Sequence, residues 1–502
     1  MIGEPRTYWE AIQARASATP DNPLTIEPDG TVMTFAGFRD AAERAAAGLA
    51  DMGIAAETRV SWQLPNGRAA LILSAALARL GAVQNPIIPV YREREVGFVV
   101  RQTGARLLVV PSVWRGFDYQ SMAESVAATT DNCDVLVCDG DLPEGDPDTL
   151  VPFEAPLDEN GRLPVRWIYY TSGTTADPKG AMHGDDSVIA AARHVWENLR
   201  LQADDIWPLA FPYTHIGGIS LLLATLVCGT RMLMVESFDP EADTRFFREQ
   251  GLTLAGSGTA FYIAFLAEQR KTPDQPIFPK MRAAIGGGAP KPAGLHMQVK
   301  NEMGGVGIIS SYGLTECPIV TYCSLDDPDD KLGATEGRIL DDTAYKVIGG
   351  ELLLKGPTLC RGYLDESLND NAFDDEGFFF TGDLVEVDDE GFVTIVGRKK
   401  DVIIRKGENI SAKEVEDVLF SHPKVGDVAV IGLPDAVSGE RCCAVVAPKA
   451  GETFGFGEMV EHCQEVGLMN QKIPEQLEIV DELPRNPAGK VLKQQLRENC
   501  GR

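Results

Sequence analysis

A chain of 502 residues with a formal net charge of −28 is too long for a single core and predicts about two to four domains. The acidic excess excludes a nucleic-acid surface, which is built from clustered Lys and Arg, and is read as a solubility feature. Its ten cysteines, at 133, 138, 228, 317, 323, 360, 442, 443, 463 and 500, make no CxxC pair and stand at no zinc-finger spacing with His, which predicts reduced, metal-free thiols in a cytoplasmic protein.

The opening MIGEPRTYWE has no basic-then-apolar leader, so no secretory signal is expected. Residues 22 to 113 alternate in character. FAGFRDAAERAAAGLADMG predicts an amphipathic helix ending at Gly53, RVSWQLP a strand, NGRAALILSAALARLGAV a helix, and VQNPIIPV and ARLLVVPS buried strands. That alternation predicts an α/β layer with a mainly parallel sheet. An acidic, loop-rich segment, DGDLPEGDPDTLVPFEAPLDENGRLP, then leads to the strand RWIYY. A second alternation runs from a helix at Ser187 through RMLMVES, LTLAGSG and RAAIGGGAP to VGIISSYGLTE. Within it IGGISLLLATLVCGT, 216 to 230, is too short for a membrane span of about 20 residues and predicts buried core. From about 333 to 397 short strands and turns predict a small β-barrel or sheet. SAKEVEDVLF opens with a capping box, Ser411 to Glu414, and starts a compact α+β tail. The terminal CGR is not a peroxisomal address. The fold class is α/β: a large N-terminal domain, 1–397, made of two α/β sheet halves (1–165 and 166–330) and a small β-barrel (331–397), followed by a small α+β C-terminal domain, 398–502.

Seven stretches carry chemistry. YYTSGTTADPKG, 169 to 180, fails the Walker pattern, because Gly173 is followed by Thr174, Thr175, Ala176, Asp177, Pro178 and only then Lys179. Its small residues and hydroxyls still suit an anion-binding nest, and equally an ordinary surface loop. GGGAP, 286 to 290, ends an apolar strand where glycines let backbone approach a flat ligand, or simply turn. SYGLTE, 311 to 316, offers an aromatic face at Tyr312, a hydroxyl at Thr315 and, at Glu316, a hard carboxylate suited to Mg²⁺. FFFTGD, 378 to 383, places Asp383 as an acceptor for ribose hydroxyls. GRKKDVIIRKGENI, 397 to 410, is a basic run at the change of texture, either a solvated face or a hinge. PRNPAGKVLK isolates Lys490 on a loop bounded by Pro and Gly, and FPYTHIGGIS sets His215 before two glycines that leave room for a ligand.

In this order and over essentially the whole chain, these stretches resemble the adenylate-forming superfamily of acyl-CoA synthetases, adenylation domains and firefly luciferase. The resemblance implies that Thr171, Ser172, Gly173, Thr174, Thr175 and Lys179 hold the β and γ phosphates of ATP. Gly287, Gly288 and Ala289 would flank adenine, with Tyr312 and Gly313 against it. Thr315 would touch the α-phosphate, Glu316 would bind Mg²⁺, and Asp383 and Arg398 would hold the ribose. Lys490 would be the catalytic lysine of a mobile C-terminal domain hinged at Lys400, with Lys406, Gly407 and Glu408 lining the coenzyme A channel. His215, Gly217, Gly218 and Gly258 would border the acyl pocket. One departure is Ala176, where the family has Gly; if that residue needs a positive φ, Ala adds about 1 kcal/mol of strain.

The implied function is an ATP-dependent acid–CoA ligase that makes an acyl-AMP with release of pyrophosphate and passes the acyl group to CoA. The segment QNPIIPVYREREVGF, 84 to 98, is similar to members acting on aryl or alicyclic acids; a medium-chain acid is also compatible. The alternative is a stand-alone adenylating enzyme that loads a carrier protein, while nothing positive marks a luciferase. The cofactors and partners implied are ATP, Mg²⁺, coenzyme A and a small carboxylic acid, with no nucleic acid and no membrane span; a homo-oligomer is compatible with them.

Overall fold

The computed structural model describes residues 1 to 501 except 156, 158–160, 172–177, 257, 289–290, 293, 406–407, 436–437 and 486–488, and only the backbone of Glu408. Its first sheet has six strands in the order Lys179–Gly184, Val165–Thr171, Val83–Pro86, Arg59–Trp62, Leu107–Val110, Asp134–Val137. Every neighbouring pair is parallel except the first. The strands are apolar on both faces because both faces are covered. Leu107 and Val109 point into one core, with Trp62, Trp167 and the helices Phe35–Asp51 and Arg68–Leu80. Leu108 and Val110 point into the other, with the helices Glu93–Thr103 and Tyr119–Ala128. Alternate residues thus serve opposite cores, as the period of two requires.

A second sheet runs Leu254–Ala255, Ala283–Gly286, Ile308–Tyr312 in parallel and continues antiparallel into Thr321–Tyr322 and Arg338–Ile339. A third has the order Ile206–Leu209, Arg231–Met234, Pro23–Ile26, Val32–Thr34. The expected division at 165/166 is corrected by these pairings. Val165–Thr171 and Lys179–Gly184 complete the first sheet, while Pro23–Ile26 pairs with Arg231–Met234. Hydrophobic pattern marks a strand but does not name its neighbour.

The apolar run at 216 to 230 forms the buried helix Ile216–Cys228, capped by the His215 ring and ended by Gly229 at φ 79°. Among the described residues no helix is long and apolar enough to cross a membrane. Residues 331–397 contain a four-stranded antiparallel sheet, Ala344–Ile348, Glu351–Lys355, Phe379–Val387, Val393–Arg398, each strand beside the next in sequence. Of the small β-barrel or sheet expected there, the strands form a sheet.

The C-terminal part builds another sheet, in which Gly439–Pro448 lies between Val402–Arg405 and Val425–Asp435 and takes Gln476–Ile479 as a parallel neighbour. Ile403, Val415, Leu419, Val430, Cys442 and Met459 share its core. Ser411 caps the helix Ala412–Phe420 by accepting the Glu414 N–H, and its hydroxyl donates to the Val396 carbonyl at 2.6 Å. One side chain therefore both starts this helix and fixes it to the preceding sheet.

Candidate active site

The candidate residues collect where parallel strands end. Thr171, Gly286 and Tyr312 are each the last residue of their strand, so the segments that follow open at the carboxyl edges of the sheets, the usual ligand face of such layers. Thr171 and Lys179 are paired across the antiparallel strands Val165–Thr171 and Lys179–Gly184. The segment between them therefore leaves and returns at one point; Ser172, Gly173, Thr174, Thr175 and Ala176 lie outside the described residues. Gly287 packs on the neighbouring strand, where an added Cβ would come within 3.0 Å of the Ser311 carbonyl. Gly288 has φ +76 and open space around it. Ala289 lies outside the described residues.

Asp383 is the hub of the site. It is 2% exposed and pairs in register with Arg398 on the adjacent strand. Arg398 Nε lies 2.6 Å from its Oδ1, and the Tyr312 phenol donates to its Oδ2 at 2.6 Å. Burial and this carboxylate push the Tyr312 phenol well above its ordinary range, so it remains a donor. A carboxylate offers about four acceptor positions, and Arg398 NH2 takes a third at 3.2 Å. Ribose hydroxyls would share what remains or displace the phenol.

Lys490 reaches the same spot from the C-terminal part. Burial first, then the charges of Arg398 and Lys400, hold its ammonium down at about 8, with Asp383 and Asp401 opposing the shift. Lys400 is an exposed residue in the short 3-10 turn Lys399–Asp401, and partial desolvation of its ammonium together with the charge of Arg398 lowers its pKa. Asp401 in that turn is bridged to Arg497 at 2.9 Å. Lys406 and Gly407 lie outside the described residues, and the Glu408 backbone pairs with Arg405.

Two further residues fix the SYGLTE segment. Tyr363 donates its phenol to Glu316 at 2.5 Å, and its ring lies 5.0 Å from Lys179 Nζ. One aromatic side chain thus connects the lysine after the phosphate loop to the candidate metal carboxylate. His183 lies 2.8 Å from the Thr315 carbonyl through Nε2 and 2.9 Å from Ser187 Oγ through Nδ1. A carbonyl only accepts, so Nε2 carries the proton, and the one Ser187 hydroxyl proton is shared between Nδ1 and the Gly184 carbonyl at 3.0 Å. Burial holds this imidazole down at about 4, neutral at any working pH.

His215 and Thr315 line one narrow cavity together with Ile87, Ile88, Tyr91, Tyr170 and Thr214. His215 Nδ1 accepts the Gly217 N–H at 3.2 Å, which leaves the proton on Nε2, and burial lowers its pKa. Thr214 is 2% exposed, and its hydroxyl has no hydrogen-bond partner among the described residues. Gly217 and Gly218 lie in the first turn of the helix Ile216–Cys228, and a Cβ added at Gly258 would meet the Gly287 carbonyl oxygen at 3.5 Å.

The family model described as AMP-binding enzyme matches residues 12–364, and that of the AMP-binding enzyme C-terminal domain matches 414–490. The chain belongs to the AMP-binding enzymes. A medium-chain fatty-acid–CoA ligase of Escherichia coli (strain K12) is 29% identical, over 99% of this chain and 90% of the relative. A 3-[(3aS,4S,7aS)-7a-methyl-1,5-dioxo-octahydro-1H-inden-4-yl]propanoyl:CoA ligase of Rhodococcus jostii is 30% identical, over 99% of each. Among solved structures, the O-succinylbenzoate coenzyme A synthetase of Bacillus subtilis in complex with ATP and magnesium superposes with a TM-score of 0.84 at 26% identity, covering 97% of this chain and 99% of that one. This AMP-binding enzyme is an AMP-forming acid–thiol ligase of the acyl-CoA synthetase type.

In this AMP-binding enzyme Gly313 tests the geometry directly. A Cβ there would stand 1.9 Å from the Pro318 carbonyl oxygen, closer than any side chain tolerates. Gly313→Ala is therefore expected to cost about 1 to 3 kcal/mol by forcing this backbone apart, read as a fall in the chemical-denaturation midpoint. An unchanged midpoint would mean that the turn after Tyr312 has another conformation.

Proposed function

We propose that this enzyme activates a cyclic or aryl carboxylic acid as its acyl-AMP and then transfers the acyl group to CoA. The feature that supports the adenylation step is the electrostatic environment of Lys490, whose ammonium is lowered by burial and by the charges of Arg398 and Lys400 and raised by Asp383. A carboxylate oxygen attacks the α-phosphorus of ATP, the bond to the β-phosphate oxygen breaks, and pyrophosphate leaves. Two anions meet in that step, and Lys490 supplies a cation where the charge builds, the kind of preorganised electrostatics that is often the largest catalytic contribution. Asp383, Arg398 and Tyr312 orient the nucleoside, and Thr171 and Lys179 bracket the phosphates. In the second half-reaction the CoA sulfur attacks the acyl carbonyl and AMP leaves.

The donor set at Glu316 fits Mg²⁺, which is held by one or two carboxylates together with substrate phosphates and water. Bound there, Mg²⁺ would supply Lewis-acid neutralisation of phosphate charge. Tyr363 would fix which Glu316 oxygen remains available. Tyr363→Phe is accordingly expected to raise the Mg²⁺ concentration for half-maximal pyrophosphate release by about 10-fold, in line with the loss of a group that orients a metal ligand. An unaltered Mg²⁺ dependence would leave Tyr363 with a packing role alone.

The choice of a cyclic acid is supported by the cavity wall. Tyrosines and branched side chains favour a ring over a flexible chain, and the unpaired Thr214 hydroxyl calls for a ligand oxygen, since a buried hydroxyl without a partner is costly. The Rhodococcus jostii relative, named for a fused-ring acid bearing two ketones, supports the same class. The test is pyrophosphate release with ATP and Mg²⁺ across benzoic, cyclohexanecarboxylic, fused-ring keto and C4 to C16 straight-chain acids, with and without CoA. Multi-turnover release only with CoA, fastest on ring acids, is expected; fastest release on a straight-chain acid would overturn the substrate class. A single turnover that CoA does not extend would overturn the CoA acceptor.

A further inference from the structure

Two segments that line the cavity are held by one short stretch of chain. After the strand Arg59–Trp62 the chain reads Gln63-Leu64-Pro65-Asn66, and its two amide side chains are buried, Gln63 at 0% and Asn66 at 7% exposure. Gln63 Nε2 donates to the carbonyls of Ile88 and Tyr91, each at 3.0 Å. Those two residues line the cavity. Asn66 accepts the Tyr213 N–H on Oδ1 at 2.7 Å and donates through Nδ2 to the Phe211 carbonyl at 2.9 Å. That loop presents Thr214 and His215 to the cavity. The two clamped segments are distant in sequence and share no strand pairing with each other.

The clamps satisfy backbone groups that no ladder serves. Segment 87–91 follows the strand Val83–Pro86, and segment 210–215 follows Ile206–Leu209. Past the end of a strand the backbone amides and carbonyls need other partners if they are buried. Here Gln63 and Asn66, three residues apart, are among those partners, beside the Tyr91 N–H on the Ile88 carbonyl. Two segments that line the cavity are thereby tied to one short stretch of backbone.

We propose that Gln63 and Asn66 are positioning residues for acid specificity: together they set the spacing between the Ile87–Tyr91 segment and the Thr214–His215 segment, and so the thickness of the acid accepted. This rests on the reading that the cavity receives the acid. Neither residue touches the nucleotide segments by any contact described above, so ATP binding is separable from their effect. Small displacements of a positioned substrate carry large rate penalties, which makes the acid dependence the sensitive readout.

The experiment compares wild type with Gln63→Met, which keeps the length and removes both donors, and with Gln63→Asn, which keeps the amide and shortens its reach. Pyrophosphate release is measured against a fused-ring acid and a straight-chain C8 acid, with KM for ATP determined alongside. For Gln63→Met the ratio of kcat/KM between the two acids is expected to shift by about 10-fold or more, with KM for ATP within about 2-fold of wild type. Gln63→Asn is expected to fall between the two. If the variants lose activity on both acids in proportion, or if KM for ATP rises together with KM for the acids, the positioning role is overturned and Gln63 serves stability only. Should Gln63→Met fail to fold, Gln63→Asn decides alone by the same ratio. Wild-type enzyme that releases pyrophosphate with neither acid would instead overturn the underlying assignment of the cavity, a result distinguishable before any variant is made.

Discussion

Lys490→Ala is expected to lower acid-dependent pyrophosphate release by about 10² to 10³-fold, the usual cost of removing one preorganised donor from developing charge. The effect is large because the cation is placed against opposition. Its ammonium is buried next to Arg398 and Lys400 and is held down at about 8, well under the ordinary lysine value of about 10.4. The sign of the linkage follows. Docked without nucleotide, Lys490 binds fewer protons between about pH 8 and 10.4 than it does undocked, so the docked arrangement gains stability as pH rises through that window and is weakest below it. ATP phosphates reverse this by favouring the charged form. Nucleotide binding near pH 8.5 is therefore expected to take up a proton through Lys490, detected by calorimetry in two buffers of different ionisation enthalpy, and the uptake is expected to vanish in Lys490→Ala. Near wild-type pyrophosphate release from the variant would remove Lys490 from the adenylation step; a proton uptake that persists in it would assign the shift to another group.

What the sequence discloses is what is local. The strand-then-glycine stretches ending at Gly286 and Tyr312, the N-cap at Ser411 and the buried run at 216 to 230 are each written in consecutive residues, and each is found where periodicity and turn chemistry put it, although the Glu414 carboxylate binds Lys472 rather than closing a capping box. Long-range pairing is not written that way. Pro23–Ile26 joins Arg231–Met234, and no feature of either strand announces the other. The same limit applies within the site. Asp383 and Arg398 were nominated by their motifs, but Tyr363 and His183, with partners 47 and 132 residues away, stand in stretches with no signal of their own. Gln63 and Asn66 carry a faint one: polar amides directly after an apolar strand. It becomes informative only once the carbonyls they serve are known.

Lys400→Pro is expected to separate the two half-reactions: pyrophosphate release in the first turnover within about 3-fold of wild type, and acyl-CoA formation reduced by about 10²-fold or more. Lys400 occupies a short 3-10 turn in the docked arrangement, and proline holds φ near −65°, a value that such a turn already uses. The docked form with Lys490 beside Asp383 is therefore retained. Under the proposed function thioester formation makes the contrary demand: Lys490 would withdraw before the CoA sulfur approaches the acyl carbonyl, by rotation at the 399–401 turn that breaks the Ser411–Val396 hydrogen bond spanning it. A φ that cannot change blocks that exchange. Rapid-quench measurement of acyl-AMP and acyl-CoA in one time course decides the matter, with acyl-AMP accumulating in the variant as CoA is added. Equal loss of both products would place the pivot elsewhere or show that proline disturbs docking, and unimpaired acyl-CoA formation would show that the transfer proceeds without rotation at Lys400.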